Sequence, residues 1–143
     1  MEILFLTTMQ MLNIPYKWGG NHPLEGFDCS GLIQYLLSAN GDPIPDHIDR
    51  TAQGIFDYFS INGSWNVSKL GSLAFFGKDA RSITHIAMLV DEHRIIEAAG
   101  GDHLTLTKED AVKKGALVRI SMLSHRRDLI AIIRPSFSKI GHI

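Results

Sequence analysis

The sequence predicts an α+β domain whose helices come first and whose strands come second. Two observations carry this. The first half holds apolar residues at helical spacing, above all Leu32, Ile33, Leu36 and Leu37. From Leu73 onward, short apolar runs rich in Ile, Phe and Val are broken by Gly, Asp and His turns. Helices followed by a run of strands imply a mostly antiparallel sheet of about five strands, with the helical half packed on one face. At 143 residues, 45% apolar and 20% charged, the chain has a globular composition, and a single domain over residues 1–143 is expected.

Each element has its own signal. Ile3 to Leu12 lacks Gly and Pro and reads as a short helix ended by Asn13-Ile14-Pro15. Tyr16 to Pro23 is an aromatic and Gly-rich loop. Asp28 is placed to cap a helix from Cys29 to Ala39, with Asn40-Gly41 as its stop. A weaker helix covers Thr51 to Phe59. Strands are expected over Leu73–Phe76, Thr84–Val90 and Arg94–Ala98, the last two joined by a hairpin tip at Asp91-Glu92-His93. Thr107 and Asp110 make a capping box for a short helix that stops at Gly115. Leu117–Met122 and Leu129–Ile133 complete the strands.

Composition excludes several functions. The formal charge is −1, with no basic footprint for nucleic acid. No run approaches the ~18 apolar residues of a membrane span. Met1 to Leu6 is apolar but short, and Glu2 has the wrong sign for a secretory leader. A single cysteine, Cys29, allows neither an internal disulfide nor a multi-cysteine zinc site, and the histidines lack metal-ligand spacing, so no metal or cofactor is expected.

Cys29 is therefore either a buried apolar residue or a nucleophile. The case for chemistry is its address. At the first position of a helix, free backbone N–H groups and the positive end of the helix dipole favour a thiolate, and the Cys29 N–H could serve an oxyanion. Ser30 and Gly31 are small, which is expected to leave room above the sulfur. A thiol nucleophile needs a base. Among seven histidines His85 stands apart, because it lies inside an apolar strand where it shares a face with Ala87 and Leu89. It is either a satisfied core histidine or that base. His22, His47, His93, His103, His125 and His142 sit in loop-like contexts and read as solvated. Glu97, among Ile95, Ile96, Ala98 and Ala99 on the next strand, either points to solvent or orients His85.

At this point the residues resemble a known family, the NlpC-type cell-wall cysteine peptidases, a papain-like group that cuts peptidoglycan stem peptides. The resemblance runs from about Ile14 to Pro135. It rests on Pro15-Tyr16-Lys17-Trp18-Gly19-Gly20, on Gly26-Phe27-Asp28-Cys29-Ser30-Gly31-Leu32, on Arg50-Thr51-Ala52-Gln53, on Gly71-Ser72-Leu73-Ala74-Phe75-Phe76 and on Thr84-His85-Ile86-Ala87-Met88-Leu89-Val90. It implies a papain-like fold, Cys29 as nucleophile and His85 as base. It also implies a cleft lined by Tyr16, Trp18, Asp28 and Ser30, where Asp28 and Ser30 receive a free amine of the stem peptide. The chain departs from the family at Glu97, where a histidine is usual. A carboxylate can hold His85 in the same way, as an aspartate does in other triads.

The implied reaction is hydrolysis of a stem-peptide amide, between D-glutamate and a diamino acid, through a thioester on Cys29. Amidase or acyltransferase chemistry on the same scaffold stays open, as does a phage tail or structural module with a decayed site. Gly100-Gly101-Asp102 and Arg126-Arg127-Asp128 resemble a phage-type branch. With one domain expected and no standard leader, the chain reads as a catalytic domain brought to the wall by a phage tail or another carrier, or released at lysis. The sequence leaves the oligomeric state open.

Overall fold

The computed structural model describes residues 2–137. Helix α1 (Glu2–Gln10) leads into a loop holding a two-stranded ribbon, β1 (Asn21–His22) and β2 (Gly26–Phe27). Helix α2 (Cys29–Ala39) and helix α3 (Ala52–Asn62) follow. The remaining strands are β3 (Ser64–Trp65), β4 (Leu73–Gly77), β5 (Ile83–Leu89), β6 (Arg94–Ala99), β7 (Leu117–Met122) and β8 (Leu129–Arg134). Helix α4 (Lys108–Lys114) lies between β6 and β7, and a 3₁₀ turn, Leu123–His125, precedes β8.

The strands form one antiparallel sheet in the order β3-β8-β4-β5-β6-β7. The architecture is the α+β arrangement expected, with six strands rather than about five. The additional strand, β3, is two residues long and pairs Trp65 with Ile133. It is too short to show a period-2 pattern. Chain order also misleads about β8, which crosses back to lie between β3 and β4 instead of beside β7.

Local chemistry explains the helix ends. Thr51 caps α3 by accepting from the Gly54 N–H, and Gly63 follows its last residue. The capping box of Thr107 and Asp110 at α4 is fully formed, and Gly115 ends that helix at φ 62°, the left-handed conformation glycine adopts without penalty.

Alternation along the strands splits the core in two. Leu73, Phe75, Ile86, Met88, Ile96, Ala98 and Val118 face the helices and pack with Leu32, Ile33, Leu36, Ile55 and Phe56. Ala74, Phe76, Ala87, Leu89 and Ile95 face the other way, with Leu123 and Ile132 packed against them. His85 alternates with Ile86 and pairs with Phe76 across the sheet, so it belongs to this second face. Between Phe76 and Gly77 the β4–β5 register shifts, with Phe76 opposite His85 and Gly77 opposite Ile83. Thr84 is the extra residue. Such a bulge twists the strand and re-aims the side chains beside it, and here it lies one residue before His85.

Candidate active site

The site is assembled where α2 begins against β5. Asp28 is extended at φ −88°, ψ −177°, and its side chain caps the helix. Oδ1 accepts from the Gly31 N–H at 2.7 Å and from the Ser30 hydroxyl at 3.3 Å, while Oδ2 accepts from the Gly19 N–H at 3.0 Å. One carboxylate thus fixes both the first turn of α2 and the glycine loop beside it. Gly31 has no room for a side chain, because a Cβ there would run into the Gly20 carbonyl oxygen. The smallness of Gly31 lets the glycine loop close onto the helix.

Cys29 is half-buried at the head of α2. Backbone N–H groups of Ile86, Ser30 and Cys29 itself all favour its thiolate, as a helix start should. They are outweighed. Burial, and after it the negative charge of Asp28, push the thiol up to about 11. The expected lowering of this thiol is therefore corrected: the residue that makes the helix cap also places a charge next to the sulfur. In the unliganded protein Cys29 rests as a thiol at neutral pH, and its proton must leave as it reacts.

His85, partly buried, pairs with the buried Glu97. Glu97 is 2% exposed, and its Oε1 lies 2.8 Å from His85 Nε2. The β5–β6 register pairs Met88 with Ile96, which puts Ala87 and Glu97 next along the two strands. The small Ala87 leaves space on that face for the imidazole and carboxylate to meet. The reading of Glu97 as solvent-facing is thereby excluded. Burial works to raise the Glu97 carboxyl, but hydrogen bonds from His85 and Ser121 and the charges of His85 and Arg119 prevail and hold it at about 2. An ionised carboxylate only accepts, so Nε2 carries a proton and Nδ1 is the nitrogen left to act.

Around this pair stand groups that the sequence did not single out for the site. Arg119 pairs with Glu97 across β6 and β7 and brings Nε to 3.7 Å from Oε2. Arg126 stands 3.8 Å from Oε1 and lies 4.4 Å over the Phe76 ring, held by Asp128 at 3.0 and 2.8 Å. The signal for Arg119 was present as cross-strand alternation, but only the β6–β7 register makes it readable.

The cleft has two lobes that meet at Cys29. The first, of about 560 Å³, is lined by Asp28, Ser30, Gln34, Asp49 and Arg50. The second, of about 400 Å³, is lined by His85, His103, Arg119 and Arg126. Tyr16, Trp18 and Thr84 line both. Tyr16 is buried against Gly101, whose position leaves no space for a Cβ beside the ring. Burial first, then the charges of Cys29, Asp28 and Asp102, raise the Tyr16 hydroxyl far above its ordinary value, so it remains a proton donor. Trp18 is exposed on the rim and meets His103 edge-on at 6.2 Å.

Of the other histidines, His47, His93 and His125 are exposed, and His22 is exposed on β1. His103 is exposed but belongs to the cleft. His142 lies outside the described residues. Among the described residues no three His, Cys, Asp or Glu side chains gather as metal ligands, and no helix is long and apolar enough to cross a membrane.

Comparison with known proteins identifies the family. The chain is 36% identical over 86 residues to the bifunctional muramidase/DL-endopeptidase CwlT of Bacillus subtilis, a match covering 59% of this chain and 25% of that protein. It is 36% identical over 94 residues to the murein DD-endopeptidase MepH of Escherichia coli, covering 63% and 33% respectively. The matches thus span a quarter to a third of the length of these relatives. Among solved structures, an NlpC/P60 family protein from Bacillus cereus superposes with a TM-score of 0.69 at 24% identity, over 93% of this chain and 39% of that one. The family model for NlpC/P60 matches residues 13–125, a stretch that takes in Tyr16, Cys29, His85, Glu97 and Arg119, and on that match this chain belongs to the NlpC/P60 family.

Proposed function

We propose that the chain is a cysteine peptidase that hydrolyses an amide bond in peptidoglycan stem peptides, with Cys29 as nucleophile, His85 as base and Glu97 as the group that orients it. The observation that carries this is the His85–Glu97 pair, 2.8 Å apart, whose imidazole lines the cleft that Cys29 shares. Endopeptidase names among the relatives support the substrate class.

The steps follow from the resting state. Because Cys29 is a thiol, His85 Nδ1 takes its proton as Sγ attacks the carbonyl, and Glu97 stabilises the imidazolium that forms. The Cys29 backbone N–H and the Tyr16 hydroxyl are the donors for the oxyanion. The tetrahedral intermediate collapses to a thioester, and His85 returns the proton to the leaving amine. Water, deprotonated by the same imidazole, then releases the acyl group. Asp28 and Ser30, with Tyr16 and Trp18, hold the acyl part of the substrate. Asp28 has both oxygens engaged by the protein, so an amine would have to share them.

The bond we propose is D-glutamyl–diamino acid, as in a DL-endopeptidase. Mass spectrometry of the products from defined muropeptides tests this. Fragments ending in D-glutamate, with a new amine on the diamino acid, are expected. Peptide freed from its sugar would indicate an amidase, and acyl groups carried by an acceptor other than water would indicate a transferase. Absence of any turnover would point to a binding or tail module.

A further inference from the structure

The two lobes on either side of Cys29 are lined by different charged side chains, carboxylates in the first and guanidinium groups in the second. Asp28 and Asp49 face the first lobe, with Arg50 as its cation. Arg50 is itself paired with Asp46 at 3.5 Å. Arg119, Arg126 and His103 stand in the second lobe beside His85. Asp102, the acidic residue on the second rim, is neutralised by Lys114 at 2.7 Å.

The two arginines are not equivalent. Arg126 is fixed: Asp128 takes Nε and Nη2, and the guanidinium rests over Phe76. Arg119 is half-exposed, and its nearest approach to Glu97, from Nε to Oε2 at 3.7 Å, is too long for a hydrogen bond. Among the described residues its terminal N–H groups have no other acceptor. They form a planar donor fork suited to a carboxylate.

Position in the cleft assigns this fork to one side of the scissile bond. His85 must hand its proton to the leaving amine, and His85 lines the second lobe, so the leaving group occupies that lobe. We infer that Arg119, backed by Arg126, forms a carboxylate-binding subsite on the leaving-group side, so that the preferred substrate bears a free carboxylate on the residue whose amine departs. This rests on the peptidase reading for its direction and deepens it by naming a specificity determinant.

The test uses two synthetic stem peptides that differ only in that group, carboxylate in one and carboxamide in the other. A charge-assisted hydrogen bond predicts that the wild-type protein favours the carboxylate peptide in kcat/KM by on the order of tenfold to a hundredfold. In Arg119→Gln the ratio should fall toward one. Any effect of Arg119 exerted through Glu97 acts on both peptides equally and cancels in the ratio. Affinities of the Cys29→Ala variant for the two peptides, read by calorimetry, should show the same preference without turnover. Equal kcat/KM for both peptides, or a preference that survives in Arg119→Gln, would overturn the subsite and leave the peptidase standing. Selective binding of the carboxylate peptide with no cleavage by the wild type would uphold the anion site and overturn the peptidase reading instead.

Discussion

Glu97 offers the sharpest perturbation, because its two informative variants separate orientation from charge. In Glu97→Gln the side-chain oxygen can still accept from His85 Nε2, so the ring keeps its tautomer and pose while the charge beside the imidazolium is lost. In Glu97→Ala both are lost, and Arg119 is left facing an empty position. A hydrogen bond to a charged group contributes about 1.5–3 kcal/mol. At about 1.4 kcal/mol per tenfold, Glu97→Gln should lower kcat/KM by roughly tenfold to a hundredfold. Glu97→Ala should cost more, roughly a thousandfold, because the ring is also free to rotate away from the sulfur. The assay is kcat/KM on a stem tetrapeptide, with circular dichroism and thermal melting to verify folding. Wild-type rates in both variants would show Glu97 to be a bystander. A folded Glu97→Gln as slow as Glu97→Ala would show that charge, not orientation, is its whole contribution.

Three further outcomes follow from the same geometry. Alkylation of Cys29 by iodoacetamide should climb steadily from pH 7 to 10, since burial and Asp28 hold the thiol up at about 11. Asp28→Asn keeps a helix-capping side chain and removes the charge, so it should move that profile to lower pH. A rate already on a plateau below pH 7 would instead reveal a preformed thiolate. Gly31→Ala should destabilise the fold by about 2–3 kcal/mol, read as a drop of roughly 5–10 °C in Tm, because its Cβ meets the Gly20 carbonyl. An unchanged Tm would show that the loop yields freely. Finally, the Glu97 carboxyl is depressed from 4.5 to about 2 on folding, so the unfolded chain takes up its proton first as pH falls. The stability it contributes is whole above about pH 4.5 and drains away toward pH 2. Wild-type Tm should therefore fall more steeply over that window than that of Glu97→Gln, and parallel curves would contradict the pairing.

How much of this was legible beforehand differs by element. The Cys29–Ala39 helix, its Asp28 cap and the Thr107–Asp110 box were readable because capping is a short-range code written within four residues. The face shared by His85, Ala87 and Leu89 was readable because side chains alternate along any strand. What local patterns omit is pairing. Strand β8 inserts between β3 and β4, and nothing near Leu129 says so. The environment of Glu97 depends on the β6–β7 register, which alone brings Arg119 opposite it. The thiol differs from its sequence expectation for a related reason. The helix start at Cys29 was visible, but the balance between its N–H donors and the combined burial and Asp28 charge depends on how deeply the sulfur sits, and depth is a property of the assembled fold.

A nucleophilic Cys29 must become acylated by a stem peptide during turnover. Acid quenching of the protein within its first turnovers, followed by intact-mass and peptide-level mass spectrometry, tests this most directly. The expected result is an added mass equal to the acyl half of the peptide, located on Cys29, with no adduct and no turnover in Cys29→Ala. Cleavage that persists in Cys29→Ala, or an acyl group found on another residue, would contradict it.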